Sequence, residues 1–259
     1  MAGEGFIDTD DGSRRAREDA ERAIALDPNS AAGYLALSTI HIGYDLDWEG
    51  AEASLDKAAT LQPGSADLLG NRSTVQEMLG HLHEAIALQK EAIALDPLQP
   101  GSYVLLGNLL FEAGSYEEAS TAFHKALELN PAHAFAHFGL GKILLAQGRP
   151  NEALVEIRQE PLEGPKLVGE ALVYHFFGRG QDSDAALGAT IARDSKDQPY
   201  QIAEVYAYRG ETDKAVEWLE RAYENRDSGL IDVKIDPLLT PLRKDPRYIE
   251  ILKKMRLPL

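Results

Sequence analysis

The stretch QKEAIALDP (89–97) decides the fold, because the chain spells it again as AERAIALDP (20–28), LDKAATLQP (55–63) and FHKALELNP (123–131). The closing prolines, Pro28, Pro63, Pro97 and Pro131, stand 35, 34 and 34 residues apart. Twelve residues before each is a small residue (Ala16, Ala51, Ala85, Ala119), and five before each is another (Ala23, Ala58, Ala92, Ala126). Three marks that keep one period define a repeat array. Alanines seven apart fall on one stripe of an α-helix and let a second helix come close. A proline cannot continue that helix and restricts the residue before it, so it closes the unit. Gly80, Gly114 and Gly148 lie five residues before the first alanine of their units, where a left-handed turn ends the preceding helix. Each unit therefore reads as helix, tight turn, helix, short loop, and the fold class is all-α: a solenoid of antiparallel helix pairs.

The period continues in looser spelling. Ala153, Ile157 and Glu160 follow Gly148; Ser183, Leu187 and Thr190 follow Gly178; Ala215, Leu219 and Ala222 follow Gly210. The resulting boundaries are a flexible N-terminal segment 1–13, a half unit 14–28, and helix pairs 31–63, 65–97, 99–131, 133–161, 165–195 and 198–226. Residues 227–259 form a capping segment. Glu160-Pro161 predicts an irregular stretch around 160–166. Asp236-Pro237 and Asp245-Pro246 read as helix starts, an N-cap acid followed by proline at the first position. A short amphipathic helix is expected over Arg247–Met255.

Composition limits the function classes. With 44% hydrophobic and 26% charged residues, the chain has enough apolar surface to fold. It has no cysteine, which excludes disulfides, thiolate metal sites and cysteine nucleophiles. Its net charge of −16 argues against nucleic acid and anionic membranes as partners. That charge is uneven: residues 1–130 hold 22 acids and 8 bases, residues 131–259 hold 20 and 18. No apolar run reaches the ~18 residues that span a bilayer, so no membrane insertion is expected. No secretory signal is apparent, and the expected compartment is cytoplasmic.

The Gly-x4-Ala-x6-Ala-x4-Pro spacing, with Tyr34, Leu69, Tyr103 and His137 at first-helix packing slots, resembles the tetratricopeptide repeat family over roughly residues 14–225. GYDLDWEGAEASLDKA (43–58) and WLERAYENRDSGLIDVKIDPLLTPLRKDPRYIEILKK (218–254) resemble the C-terminal repeat regions of bacterial signalling proteins, where such a region follows a cyclase, winged-helix or kinase domain. The resemblance implies a right-handed superhelix whose first helices line a concave groove. It also implies a peptide or protein partner and no enzymatic activity. The lining residues in register are Asn71, Thr74 and Met78 of the second unit, with Asp67 and Gly70. The third unit offers Val104, Asn108, Phe111 and Glu112. The fourth offers Phe135, Phe138, Lys142 and Leu145, and the sixth Tyr200, Glu204 and Tyr208. Phe111, Phe135, Phe138 and Leu145 would supply apolar anchoring, with Asn71, Asn108 and Lys142 orienting the ligand. Two other occupancies are open: neighbouring helices could cover these phenylalanines, or the chain's own tail could fill the groove. The carboxylate clamp of some family members is not spelled here, because the lysine and arginine partners of Asn71 and Asn108 are missing.

Other chemistry is sparse. No phosphate-binding loop, dinucleotide fingerprint, HExxH or GxSxG motif is present. His133 and His137 have ligand-compatible spacing, but His137 fills a packing slot, and His81 and His83 lack further ligands. No metal or cofactor is expected. Trp48 and Trp218 read as packing residues. Carboxylates are plentiful, yet no pattern places two of them in one apolar cleft. Two alternatives to a binding scaffold follow. One is a regulatory or sensory module of a longer signalling protein. The other is self-association into a homo-oligomer through the N-terminal half unit, aided by the opposite charges of the two ends.

Overall fold

The computed structural model describes residues 9–194, 196 and 198–259. It is an all-α solenoid, with no strand among the described residues. Helix α1 (Thr9–Leu26) stands before six antiparallel pairs: α2 (Ala31–Ile40) with α3 (Trp48–Leu61), α4 (Ala66–Leu79) with α5 (Leu82–Leu95), and α6 (Pro100–Glu112) with α7 (Tyr116–Leu129). Then come α8 (Ala136–Ala146) with α9 (Pro150–Ile157), α10 (Glu163–Phe176) with α11 (Gly180–Asp194), and α12 (Pro199–Tyr208) with α13 (Thr212–Glu224). The tail adds 3-10 turns Ser228–Asp232 and Pro237–Leu242 and helix α14 (Pro246–Lys254). Two expectations shift at the N-terminal end. Residues 1–8 of the flexible segment lie outside the described residues, and residues 9–13 belong to α1 rather than to a flexible arm.

The repeat marks do the work their chemistry implies. Ala51, Ala85, Ala119, Ala153 and Ala215 are all fully buried where paired helices cross. Gly80, Gly114, Gly148, Gly178 and Gly210 all have positive φ, between 69° and 82°, at the turn inside each pair. Helices approach closely around Phe123. A Cβ on Gly139 would lie 2.3 Å from its ring and one on Gly107 2.8 Å, so the ring is seated where two helices offer no side chain.

The irregular stretch after α9 serves a neighbour. α9 stops at Ile157, and the buried Glu160 turns back to the start of α8. Its Oε1 accepts from Phe135 N (3.1 Å) and its Oε2 from Phe138 N (3.2 Å), satisfying donors that a helix start leaves open. The longer second unit is absorbed by a π-helical turn at His41–Asp45, followed by Leu46 with φ 54°. Asp47 then caps α3 by accepting from Gly50 N at 3.1 Å.

Two apolar cores result. One holds Val104, Leu110, Phe111, Phe123, Leu140 and Ile143, between α6, α7 and α8. The other passes over that middle section. It joins Leu55, Val75 and Met78 near the front to Phe138, Leu172, Ile202 and Leu219 at the back, through Leu230, Val233, Leu239 and Leu242 of the tail.

Candidate functional site

The first helices converge on a concave face, and the tail lies along it. Leu230, Val233, Leu239 and Leu242 are fully buried there, and Ile235 nearly so. Gly229 passes so close to the Tyr200 ring that a Cβ would meet it at 2.7 Å. Polar contacts fasten the tail at both ends of the groove. Lys234 Nζ donates to Leu79 O at 2.7 Å, at the C-terminus of α4, where the helix dipole favours a cation. Burial holds that ammonium below the ordinary lysine range. Tyr200 N donates to Asp227 Oδ2 (2.9 Å), Tyr248 OH to Val233 O (2.6 Å), and Trp48 Nε1 to Arg256 O (3.1 Å). Arg256 also meets Glu49 at 3.5 Å, so the last residues return to the second unit.

The sequence-derived groove residues do not share one environment. Met78, Phe138 and Leu145 are buried in the core that the tail completes. Val104 and Phe111 are buried in the middle core, Phe111 beside Tyr116 at a centroid distance of 5.8 Å. Phe135 sits before the start of α8 with φ 68° and is 42% exposed, at the entry of that helix. Asn71 binds the preceding repeat, its Nδ2 donating to Ser38 Oγ and Thr39 Oγ1 at 3.0 Å each. Thr74 Oγ1 donates back to Gly70 O at 3.3 Å. Asn108 is half-buried on α6. Lys142 reaches between two aromatic rings, its Nζ 5.2 Å from the centroid of Phe111 and 5.1 Å from that of Phe138. The orienting role expected of Lys142 toward a ligand is thus exercised on the chain itself.

Around that ammonium the structure gathers carboxylates that no sequence pattern places together. Glu77 of α4, Glu112 of α6 and Asp232 of the tail bring carboxylate oxygens within 4.8 Å of one another. Two unit charges at that spacing repel by roughly 3–4 kcal/mol at an effective dielectric near 20. Glu204 and Asp236 are buried beside them, and Tyr200 OH donates to Asp236 Oδ2 at 2.9 Å. Glu112 Oε2 is sealed from solvent with no hydrogen-bond partner. Burial, with Asp232 adding its charge and hydrogen bond, holds Glu77 well above the carboxylate range. Burial and then Asp232, Glu77 and Asp236 raise Glu112, and burial with Asp236 raises Glu204, Lys142 opposing in each case. Asp232 is pushed up to about 7 by burial, against the pull of Lys142. Burial opposes the charge of Lys142, but Glu204, Asp236, Glu112 and Asp232 outweigh it and hold the ammonium above its usual value. Burial, then Asp236, lifts the Tyr200 hydroxyl well above the phenol range. Sequence reading reached Glu112, Tyr200, Glu204 and Lys142 as groove positions. It passed over Glu77, although Glu77 and Glu112 stand 35 residues apart, one repeat.

The histidines do not assemble. His137 Nδ1 pairs with Glu156 Oε1 at 2.6 Å, while His133 Nδ1 faces Ala134 O at 2.9 Å. His81 Nδ1 pairs with Gln76 at 2.8 Å. Trp218 is buried on α13 with the Arg221 guanidinium 4.4 Å above its ring. No helix among the described residues is long and apolar enough to cross a membrane.

Comparison with known proteins agrees with this architecture. Residues 107–148 match a TPR repeat profile and residues 200–227 a tetratricopeptide repeat profile. Over 94 residues the chain is 33% identical to the small glutamine-rich tetratricopeptide repeat-containing protein 2 of Mycosarcoma maydis, covering 36% of this chain and 27% of that one. It is 23% identical over 255 residues to cellulose synthase operon protein C of Pseudomonas fluorescens, covering 93% of this chain and 19% of the other. The chain therefore spans about a quarter or less of the length of these curated relatives. Among solved structures, that of the APC/C hetero-tetramer Cut9-Hcn1 superposes with a TM-score of 0.64 at 15% identity, covering 94% of this chain and 46% of that one. The type IV pilus biogenesis factor PilW gives 0.60 at 20% identity, covering 71% and 86%. At these identities the structural likeness is one of fold.

Proposed function

The chain carries tetratricopeptide repeats, and on that premise we propose that it is a non-enzymatic protein–protein interaction scaffold. Its concave groove takes an extended segment of a partner in competition with its own tail. Proteins built of these repeats are generally interaction scaffolds. One observation carries the finer reading: the groove already holds a segment that is not α-helical between its turns, residues 228–245. That occupant supplies the chemistry of a ligand. Its aliphatic side chains at Leu230, Val233, Ile235 and Leu239 are buried, and a carboxylate at Asp236 is received by the Tyr200 hydroxyl. A partner segment would carry the same alternation of aliphatic residues and an acid. A fluorescent peptide of residues 228–245, titrated into the full chain, tests this. It should bind weakly to the wild type and more tightly to a Leu230→Ala/Leu239→Ala chain, whose own tail is loosened. Absence of binding to a folded double variant would contradict the groove reading.

A further inference from the structure

We propose that the tail is a proton-gated latch: residues 228–245 stay seated in the groove while protons are shared among Glu77, Glu112, Glu204 and Asp232, and they unseat as those protons leave. The five carboxyl groups come from α4 (Glu77), α6 (Glu112), α12 (Glu204) and the tail (Asp232, Asp236), and one ammonium, Lys142 of α8, faces them. The tail therefore brings two acids into a chamber that already holds three. If all were ionised, one lysine would leave most of that charge uncompensated at a site where Glu77, Glu204 and Asp236 are buried and Glu112, Asp232 and Lys142 partly so. Like charges so placed favour protonation of some members of the set.

The other groups facing the chamber do not relieve it. Tyr200 of α12 is a neutral donor to Asp236. Asp227 at the start of the tail adds a further negative charge near Asp232. Lys234 Nζ donates to Leu79 O at 2.7 Å, and Arg243 donates to Ile235 O at 3.3 Å. Glu112 Oε2 is buried and without a hydrogen-bond partner. A proton on one carboxyl turns a repelling pair into a hydrogen bond. Unseating moves Asp232 and Asp236 to water and opens the remaining acids to solvent, where ordinary carboxylate values return.

The sign follows from linkage. Groups whose values are raised in the seated state bind more protons seated than unseated. Seating is then fully supported below the ordinary carboxylate range near ~4 and is lost as pH rises toward the seated values. Asp232, raised to about 7, places the window between roughly pH 4 and 7 for that group.

The latch rests on the tail being the occupant of the groove, as in the proposed function, but needs no partner to be tested. Hydrogen exchange of the full chain, read by mass spectrometry and corrected for intrinsic exchange, would follow residues 228–245 and α6–α7 separately from pH 5 to 8.5. The expected result is a tail opening constant that rises at least tenfold per pH unit between pH 5 and 7, with α6–α7 nearly flat. An Asp232→Asn/Glu77→Gln chain should lose most of that slope and keep its tail seated at pH 8. A wild-type opening constant changing less than twofold per unit, or the same slope in every helix, would overturn the latch without any variant. Calcium or manganese restoring a seated tail at pH 8 in a saturable, chelator-reversible manner would also overturn it, because a cation would then be the neutralising group. A flat pH profile with peptide binding intact would remove the latch and leave the groove reading standing. Loss of peptide binding with the slope intact would do the reverse.

Discussion

Replacing Leu239 by alanine should detach the tail while leaving the middle of the solenoid intact. Leu239 is fully buried in the second 3-10 turn of the tail, within the core that joins the front units to the back ones. The change deletes three carbon atoms, worth about 2.4 kcal/mol of transfer free energy at ~0.8 kcal/mol each. Incomplete collapse of the cavity raises the total to about 2.5–5 kcal/mol. If the tail opens as a unit, its opening constant should rise by roughly 60-fold to several thousand-fold, since ~1.4 kcal/mol is a factor of ten. Native-state hydrogen exchange measures this directly, because Leu239 N donates to Asp236 O and Val233 N to Leu230 O inside the tail. Helices α6 and α7 pack into the other core and should keep their protection. A tail change below tenfold, or an equal loss of protection in α6–α7, would refute the division into a fixed array and a seated tail.

Three further outcomes follow from named contacts. Gly139→Ala places a Cβ 2.3 Å from the Phe123 ring and should cost about 1–3 kcal/mol in a denaturant melt, through overpacking. Glu160→Ala removes the acceptor for Phe135 N and Phe138 N and should lower stability by about 1–2 kcal/mol, seen as a lower thermal midpoint with unchanged far-ultraviolet circular dichroism at low temperature. Lys142→Met removes the ammonium that faces the acid chamber, so its destabilisation should be larger at pH 8 than at pH 6, where the carboxyl groups hold more protons; equal losses at both pH values in urea melts would contradict the electrostatic account.

The repeat was legible because its marks are local. Proline stops, glycines with positive φ and buried alanines each answer to the geometry of one helix pair, and their spacing survives in a single chain. The irregular stretch after α9 was legible for the same reason, since Glu160-Pro161 breaks a helix wherever it stands. What it serves was not, because the acceptor at Glu160 and its donors at Phe135 and Phe138 lie on different units. The groove was harder still. Residues 227–259 carry no period, so nothing local says that Lys234 meets Leu79 or that Arg256 meets Trp48, pairs separated by 155 and 208 residues. Reading first helices in register found Phe111, Phe138, Lys142, Glu112 and Glu204 as groove positions, but the identity of their occupant depends on how far the solenoid curves. The register implied a helical position for Phe135, whereas the backbone turns left-handed there before α8 begins.

The central claim is that the tail occupies the groove and returns to the second unit. The absence of native cysteine allows a unique pair of spin labels at Glu49→Cys and Arg256→Cys, positions whose side chains meet at 3.5 Å on the surface. Double electron–electron resonance at pH 6 should give one short, narrow distance population. A broad distribution extending to long distances would show a tail that does not sit in the groove, and the account would be wrong.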